Sequence, residues 1–447
     1  MKPRGVHIKF ISLFILSVFF GSNIFAVAQS GGEPKRRFTS RGNSISEMEQ
    51  AKKEGLFKFY YSGYIRLDAF LDSRQTVDFW KGIDLTYPKN RALDAVNDDI
   101  NDKGQFNMVP FGQLAVKVVG PEVWDAKTSA LFKTDCAGKS GDGLDNFANL
   151  RFKHGYFNLE WDKTELIAGV DYSPLVLREL CADTVSVNAG EFFDPFDYSS
   201  MVRVRHRVDP MEFVFAISKR FWFEEVRNSV APGLYAQANV HVRDQLFCAG
   251  VDFQSMVPRL HTELPVTNEN GYREWETINS FIAFLGANLT KDNVRFKTRL
   301  TYAENPLFYT LLGGYAACTW DSETDRRHYT NIRSANFWMD LSHLTEEREI
   351  GIFFGYAENL GSRNSLATID GMYNVVGEGF DAENGTGIDY AFRVQPRVRF
   401  FKGPITIGFE IDHTRVQYGT ITDCGRANQD TCVVSNTRFV ASIVYSF

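Results

Sequence analysis

Beyond its first 28 positions the 447-residue chain has no run of eighteen consecutive apolar residues, so it has no segment fit to cross a membrane as a helix. It has no excess of basic charge either. Its 49 Lys and Arg stand against 55 Asp and Glu, and no basic cluster with interleaved aromatics offsets that balance, which argues against a nucleic-acid partner. Proline is scarce, at 14, so long strands run with few interruptions. The six cysteines and eight histidines show no zinc-type spacing, and no metal or cofactor is expected. There is no internal repeat and no low-complexity tract. Aromatic residues, by contrast, are plentiful: 39 Phe and 18 Tyr lift the aromatic share to 14%.

The first residues read as an export signal. Lys2, Arg4 and Lys9 precede an apolar core from Phe10 to Phe20, and Ala26-Val27-Ala28 supplies a small-residue cleavage site. Removing 1–28 lowers Lys plus Arg from 49 to 46 and leaves the acidic residues untouched. Residues 29–56 form a polar leader. Ser44 and Glu47 make a capping box for a short helix over 45–53, and a frayed terminus fits this segment equally well. The remaining length suits two or three soluble domains or one large barrel. The aromatic-rich, proline-poor composition favours the barrel.

The last eleven residues, T-R-F-V-A-S-I-V-Y-S-F, put Phe439, Ala441, Ile443, Tyr445 and Phe447 on one face of a strand. From Phe57 to Asp72 the odd positions are apolar, while Lys58, Ser62, Arg66 and Asp68 occupy the other face. Between Phe106 and Val119, Met108, Leu114, Val116 and Val118 oppose Asn107, Gln113 and Lys117. Further runs lie near 125–135, 148–160, 164–172, 201–207, 211–220, 235–243, 246–257, 278–290 and 294–304. The last lie near 331–343, 349–358, 388–401, 405–417 and 437–447. Short polar turns such as 161–163, 208–210, 291–293, 345–348 and 402–404 alternate with long connections at 73–104, 173–199, 259–275, 305–330, 359–387 and 418–436. An even count near sixteen with short turns facing long loops predicts an all-β fold. The expected form is a 16-stranded antiparallel transmembrane β-barrel over 57–447, apolar side chains toward lipid and polar ones toward the lumen.

The aromatic end at Phe447 resembles the C-terminal signal by which the barrel-assembly machinery of Gram-negative bacteria recognises its clients. The stretch 149–174, N-L-R-F-K-H-G-Y-F-N-L-E-W-D-K-T-E-L-I-A-G-V-D-Y-S-P, resembles the "R-x-R-H-a-Y … L-x-x-G" hairpin of DcaP-type porins. T-V-S-V-N-A-G at 184–190, L-L-G-G-Y at 311–315 and G-Y-A-E-N-L-G-S at 355–362 continue the likeness. Lys153 stands where that pattern has arginine. The leader is far shorter than the coiled-coil stalk of some members, which argues against such a stalk. The resemblance implies a homotrimer in the outer membrane, seated in lipid, each barrel narrowed by an infolded constriction loop. That loop is the segment 173–199, which carries Arg178, Glu179, Asp183, Glu191, Asp194 and Asp197.

Strand periodicity supplies the opposing wall. Arg203, Arg205 and Arg207 alternate with Val202 and Val204, so the three arginines share the lumen face. Arg295, Lys297 and Arg299 make a second ladder, Arg393, Arg397 and Arg399 a third, and Arg151 with Lys153 a fourth. Such ladders select solutes by sign in a narrow pore, or pair with loop carboxylates to hold the loop down. Asp68, Asp252, Glu410 and Asp412 temper the basic excess. The expected function is an outer-membrane porin passing small hydrophilic solutes by diffusion, with a mild preference for anions, carboxylates among them. A substrate-specific channel and a surface structural or adhesion barrel with a plugged pore are the alternatives. The external loop 73–101 suits shielding or adhesion.

No catalytic group is expected. Asp98-Asp99 and Asp412-His413 superficially match the acid and histidine pairs of omptin proteases, but parity turns His413 to the lipid side. Ser342-His343 has no evident third partner. An exported chain permits disulfides, with Cys424 and Cys432 as the best candidate pair and Cys136 with Cys181 as another.

Overall fold

The computed structural model describes residues 56–79, 82, 84–136, 150–187, 190–220, 226, 228–263, 271–306, 309–367, 372–374 and 385–447. The expected signal peptide at 1–28, the helix at 45–53 and the leader up to residue 55 lie outside the described residues.

Sixteen strands form the wall. The first eight are β1 (Lys58–Asp72), β2 (Gln105–Val119), β3 (Lys127–Asp135), β4 (Arg151–Glu160), β5 (Thr164–Tyr172), β6 (Tyr198–Val208), β7 (Met211–Lys219) and β8 (Gly233–Val242). The others are β9 (Gln245–Met256), β10 (Ile278–Lys291), β11 (Val294–Glu304), β12 (Arg327–Leu344), β13 (Arg348–Gly361), β14 (Thr386–Lys402), β15 (Ile405–Thr420) and β16 (Gln429–Ser446). Each pairs antiparallel with its neighbours in the chain. β1 also pairs with β16, from Tyr64↔Ser446 to Asp72↔Arg438, and this closes the sheet. Closure leaves no unpaired edge, the condition for strands to cross a bilayer. The terminal Phe447 completes the seam, its amide donating to Gly63 O at 3.0 Å and its carbonyl accepting from Gly63 N at 2.9 Å.

The expected alternation holds, and burial is inside out. On β1, Ile65 is 66% exposed while Arg66 and Asp68 are buried. Phe157, Phe215, Leu285 and Phe439 are likewise exposed, whereas Arg393, Asp412 and Arg438 are buried. A soluble sandwich shows the reverse arrangement. β16 begins at Gln429, eight positions before the expected start, and its ladder with β15 reaches Thr420↔Gln429. Residues 429–436 read poorly as a strand because a wall that rises above the hydrocarbon no longer needs apolar side chains.

The interior is packed by loops. Residues 173–187 and 190–197, between β5 and β6, turn into the barrel, with Leu175, Leu180, Phe192 and Phe193 fully buried. Phe193 stacks toward Phe353 at 6.3 Å, and Trp338 backs Phe353 at 6.1 Å. Each such burial is worth about 1.5–3 kcal/mol, so the loop is held as firmly as core. The wall makes room for it with glycine: a β-carbon at Gly286 would meet Leu180 Cδ1 at 2.4 Å.

A second segment enters from the loop between β1 and β2. Its two short strands, Thr76–Phe79 and Asp84–Pro88, pair as a ribbon, and Leu85 and Tyr87 are fully buried. The Tyr87 ring meets Phe192 at 5.3 Å. The expectation that 73–101 is an external loop, suited to shielding or adhesion, is therefore corrected for its placement. Its first half packs in the lumen, and only the part around Leu93, Val96 and Ile100 is exposed.

Candidate functional site

The infolded loop 173–197 is bonded to the wall along β10–β15. Arg299, on β11, donates to Leu175 O at 3.0 Å and to Asp194 Oδ1 at 3.2 Å, and Trp338 Nε1 donates to the same Asp194 oxygen at 2.9 Å. Lys297 donates to Cys181 O at 2.8 Å, and Arg295 and Lys297 both lie 3.0 Å from Asp183 Oδ2. Glu410 accepts from the amides of Val185 and Ser186 at 2.6 and 3.2 Å. Arg399 donates to Asp183 O. At the loop's end Arg220 lies 2.7 Å from Asp197.

Arg393 binds both inserted segments at once. It donates to Thr86 O at 2.5 Å and Leu85 O at 3.2 Å in the ribbon, and to Glu191 O at 3.3 Å in the loop. Arg438 holds the ribbon too, through Gly82 O at 2.6 Å. Arg397 points away from both segments to Asp340, at 2.6 and 2.8 Å, and to Glu349 at 3.0 Å. Thus of the ladders 295–299 and 393–399, expected to select solutes or pin the loop, Arg295, Lys297, Arg299, Arg393 and Arg399 pin the inserted segments and Arg397 ties wall strands β12 and β13, all with buried side chains apart from Arg295.

The fourth ladder carries an irregularity that alternation does not reveal. The β3–β4 register shifts between Lys133↔His154 and Thr134↔Phe152, which leaves Lys153 as an extra residue. A bulge of this kind re-aims side chains. Lys153 and His154 are consequently both buried, Lys153 Nζ lying 3.2 Å from Asp135 and His154 Nδ1 2.8 Å from Asp171. Arg151 lies 2.7 Å from the same Asp135 carboxylate. The positioning roles of Asp135 and Asp171 were missed from sequence, because a lone acid on a strand face carries no local signal.

Among the described residues, the inward side chains of β2–β6 are more open to water than those of most other strands. Inward residues of β8–β16 such as Gln237, Asp252, Asn336, Glu349, Gln395 and Ser442 are buried. Those of β2–β6 keep partial exposure, among them Gln113, Lys117, Ser129, Lys133 and Glu165. Along β6 the side-chain exposure of Arg203, Arg205 and Arg207 climbs from 17% through 30% to 57% toward the short-turn end. Arg178 and Glu179, half-exposed on the loop, bound this side, Arg178 reaching Asp171 and Glu179 lying 3.9 Å from Arg205.

Solved structures share this architecture. An anion-selective porin from Comamonas acidovorans superposes with a TM-score of 0.51 at 8% identity, over 88% of this chain and 100% of that one. OmpT, an outer membrane protein of Vibrio cholerae in trimer form, gives 0.50 at 9% identity, over 88% of this chain and 99% of that one. The fold is that of a porin barrel. At such identity the likeness speaks for the fold alone. No family model matches the sequence, and no curated relative matches it.

The residue pairs rejected as catalytic, and the cysteines, lie elsewhere. His413 donates or accepts at Thr437 Oγ1, 2.9 Å away, while its neighbour Asp412 accepts from Thr414 and Gln395 on the opposite face. Ser342 is buried and His343 exposed, so they too face apart. The expected Cys424–Cys432 bridge is not formed, and all six cysteines are free. Cys424 Sγ faces Thr422 at 3.1 Å inside a closed turn, and Cys432 Sγ faces Asn90 at 3.4 Å.

Proposed function

We propose that this protein is an outer-membrane channel that passes small hydrophilic solutes by diffusion, with a mild preference for anions such as carboxylates. The observation that carries the reading is the accessible strip of lumen along β2–β6. Lys117, Lys133, Arg151, Arg178 and Arg203 lie on it, backed by the buried Lys153, against Asp135 and Asp171, and a low-dielectric wall focuses such an excess. Lower down, Glu165, Glu179 and Glu212 moderate it, hence a mild preference.

The chain is exported by the segment 1–28, inserted through recognition of the strand ending at Phe447, and assembled as a homotrimer in the outer membrane. It acts as a conduit rather than an enzyme. The separated faces of Asp412 and His413, and of Ser342 and His343, support that. The motif at 149–174 supports a DcaP-type porin in particular, its Arg151, Lys153 and His154 securing the two carboxylates Asp135 and Asp171 beside the accessible strip.

Planar-bilayer recording under a potassium chloride gradient tests the proposal. Step-like conductance with a reversal potential of anion sign is expected. A clear cation sign sinks the anion preference, and absence of conductance sinks the channel.

A second reading, a substrate-specific channel, draws on the ribbon 76–88. A lumen narrowed by two inserted segments favours saturable flux over bulk flow.

A further inference from the structure

The accessible strip of lumen carries two groups of opposite charge, one above the other along β6. Toward the long-loop end lie Lys133, Arg178 and Arg203. Arg178 and Arg203 share a single carboxylate, Asp171, with Arg203 Nη1 still 3.6 Å from it. The other nearby acid, Asp135, is taken by Arg151 and Lys153. Lys133, partly exposed, has no ion pair within 4.0 Å among the described residues. This level holds an excess of positive charge.

Two residues further along β6 the sign reverses. Arg205 is surrounded by Glu165 at 3.8 Å, Glu179 at 3.9 Å and Glu212 at 3.6 Å. All three separations exceed hydrogen-bonding range. Only Glu212 closes on another cation, Arg207, at 3.0 Å. Three carboxylates thus face two guanidinium groups, and those of Glu165 and Glu179 keep room for a further cationic donor. The infolded loop feeds both levels from consecutive positions, Arg178 above and Glu179 below, with side chains 51% and 49% exposed.

The levels are set by Arg203 and Arg205, two strand positions or about 6.6 Å apart. A simple anion is attracted by the first level and repelled by the second; a simple cation meets the reverse. A solute bearing both charges at this spacing lies favourably across both at once, because each end sits beside its opposite at short range and low dielectric.

We infer that this stretch of the lumen selects zwitterionic solutes of dipeptide size. The carboxylate faces Lys133, Arg178 and Arg203, and the ammonium faces Glu165, Glu179 and Glu212. The inference rests on the channel reading above and adds a solute class to it.

Swelling of liposomes that contain the refolded full-length mature protein tests it. The probes are glycylglycine, N-acetyl-glycylglycine and glycylglycinamide near neutral pH: a zwitterion, an anion and a cation of similar size. Glycylglycine is expected to enter about threefold faster than either analogue. The paired exchange Arg178→Glu with Glu179→Arg conserves net charge and reverses the loop's two signs, and it should bring the ratios close to one. Glu165→Gln, on the wall, should lower the glycylglycine ratio without altering the loop. Equal wild-type rates, in vesicles that conduct potassium chloride, overturn the inference and leave the channel standing. Vesicles that neither conduct nor swell overturn the channel reading and the inference with it.

Discussion

The ring of Phe193 fills the space above Gly355, where a β-carbon would stand 2.5 Å from its Cγ. Phe193 belongs to the infolded loop and Gly355 to β13. Their contact shows that the wall was shaped to receive the loop, and the loop's position therefore depends on the absence of one side chain.

Gly355→Val should push Phe193 off the wall. Overpacking of this kind costs about 1–3 kcal/mol. The loop then shifts into the accessible strip or becomes mobile, and single-channel recordings should show altered conductance with frequent short closures. An unchanged, quiet current disproves the dependence.

Arg397 bridges Asp340 and Glu349 where all three side chains are buried. Arg397→Ala leaves two carboxylates without their shared counter-ion in the interior, so a loss of about 3–5 kcal/mol is expected. The midpoint of heat-induced unfolding, followed by gel mobility in detergent, measures it. Arg207→Ala is the comparison: its side chain is 57% exposed, and its ion pair with Glu212 should contribute less than about 1 kcal/mol.

Deleting the ribbon 76–88 and closing the gap with a short glycine-serine linker should widen the lumen. The ribbon's bonds to Arg393 on β14 and Arg438 on β16 lie on wall strands outside the accessible strip. Conductance should rise by about twofold, as a second path opens beside the first. No change in conductance contradicts this placement of the ribbon.

Asp325 ties the segment 259–263 to its own turn at 320–327, accepting from Arg259 Nη1 at 2.6 Å, the Glu263 amide at 3.0 Å, Trp320 Nε1 at 2.9 Å and Arg327 Nε at 3.0 Å. Burial by itself raises this carboxyl. The Glu263 amide, Arg259 and Arg327 outweigh it and hold the pKa at about 2. A depressed carboxyl stabilises the fold above its unfolded value, about 4, and that contribution is lost as pH falls through the folded one. Hydrogen exchange in 259–263 and 320–327 should therefore accelerate between about pH 4 and about pH 2. Asp325→Asn should show fast exchange already at neutral pH. A wild-type profile flat across that interval refutes the clamp.

Strand parity was readable wherever one face had to meet hydrocarbon. Ile65 and Leu67 lie outward and Arg66 and Asp68 inward, as alternation requires. The inward aim of Arg203, Arg205 and Arg207 followed from Val202 and Val204 in the same way. Parity failed at Lys153, where the bulge inserted one residue and turned His154 inward beside it. It also gave too late a start for β16, whose first residues rise above the apolar belt.

The division between buried, pinning cations and exposed ones was not readable. Arg299 and Arg203 have the same residue type and the same strand phase. One is buried against Leu175 O and Asp194, and the other borders water beside Asp171. The difference arises from which wall the infolded loop leans on. Nor did residues 76–88 announce that they lie inside, since Arg393, more than three hundred positions away, holds them there.

Local chemistry was enough to dictate a closed ribbon of sixteen oily-outside, ionic-inside strands, because a period of two repeats in every segment and needs no distant partner. Which ions stay exposed in the lumen was settled by assembly. Charges find their partners across the lumen, from elements remote in sequence, and only the packed loops determine which of them remain wet.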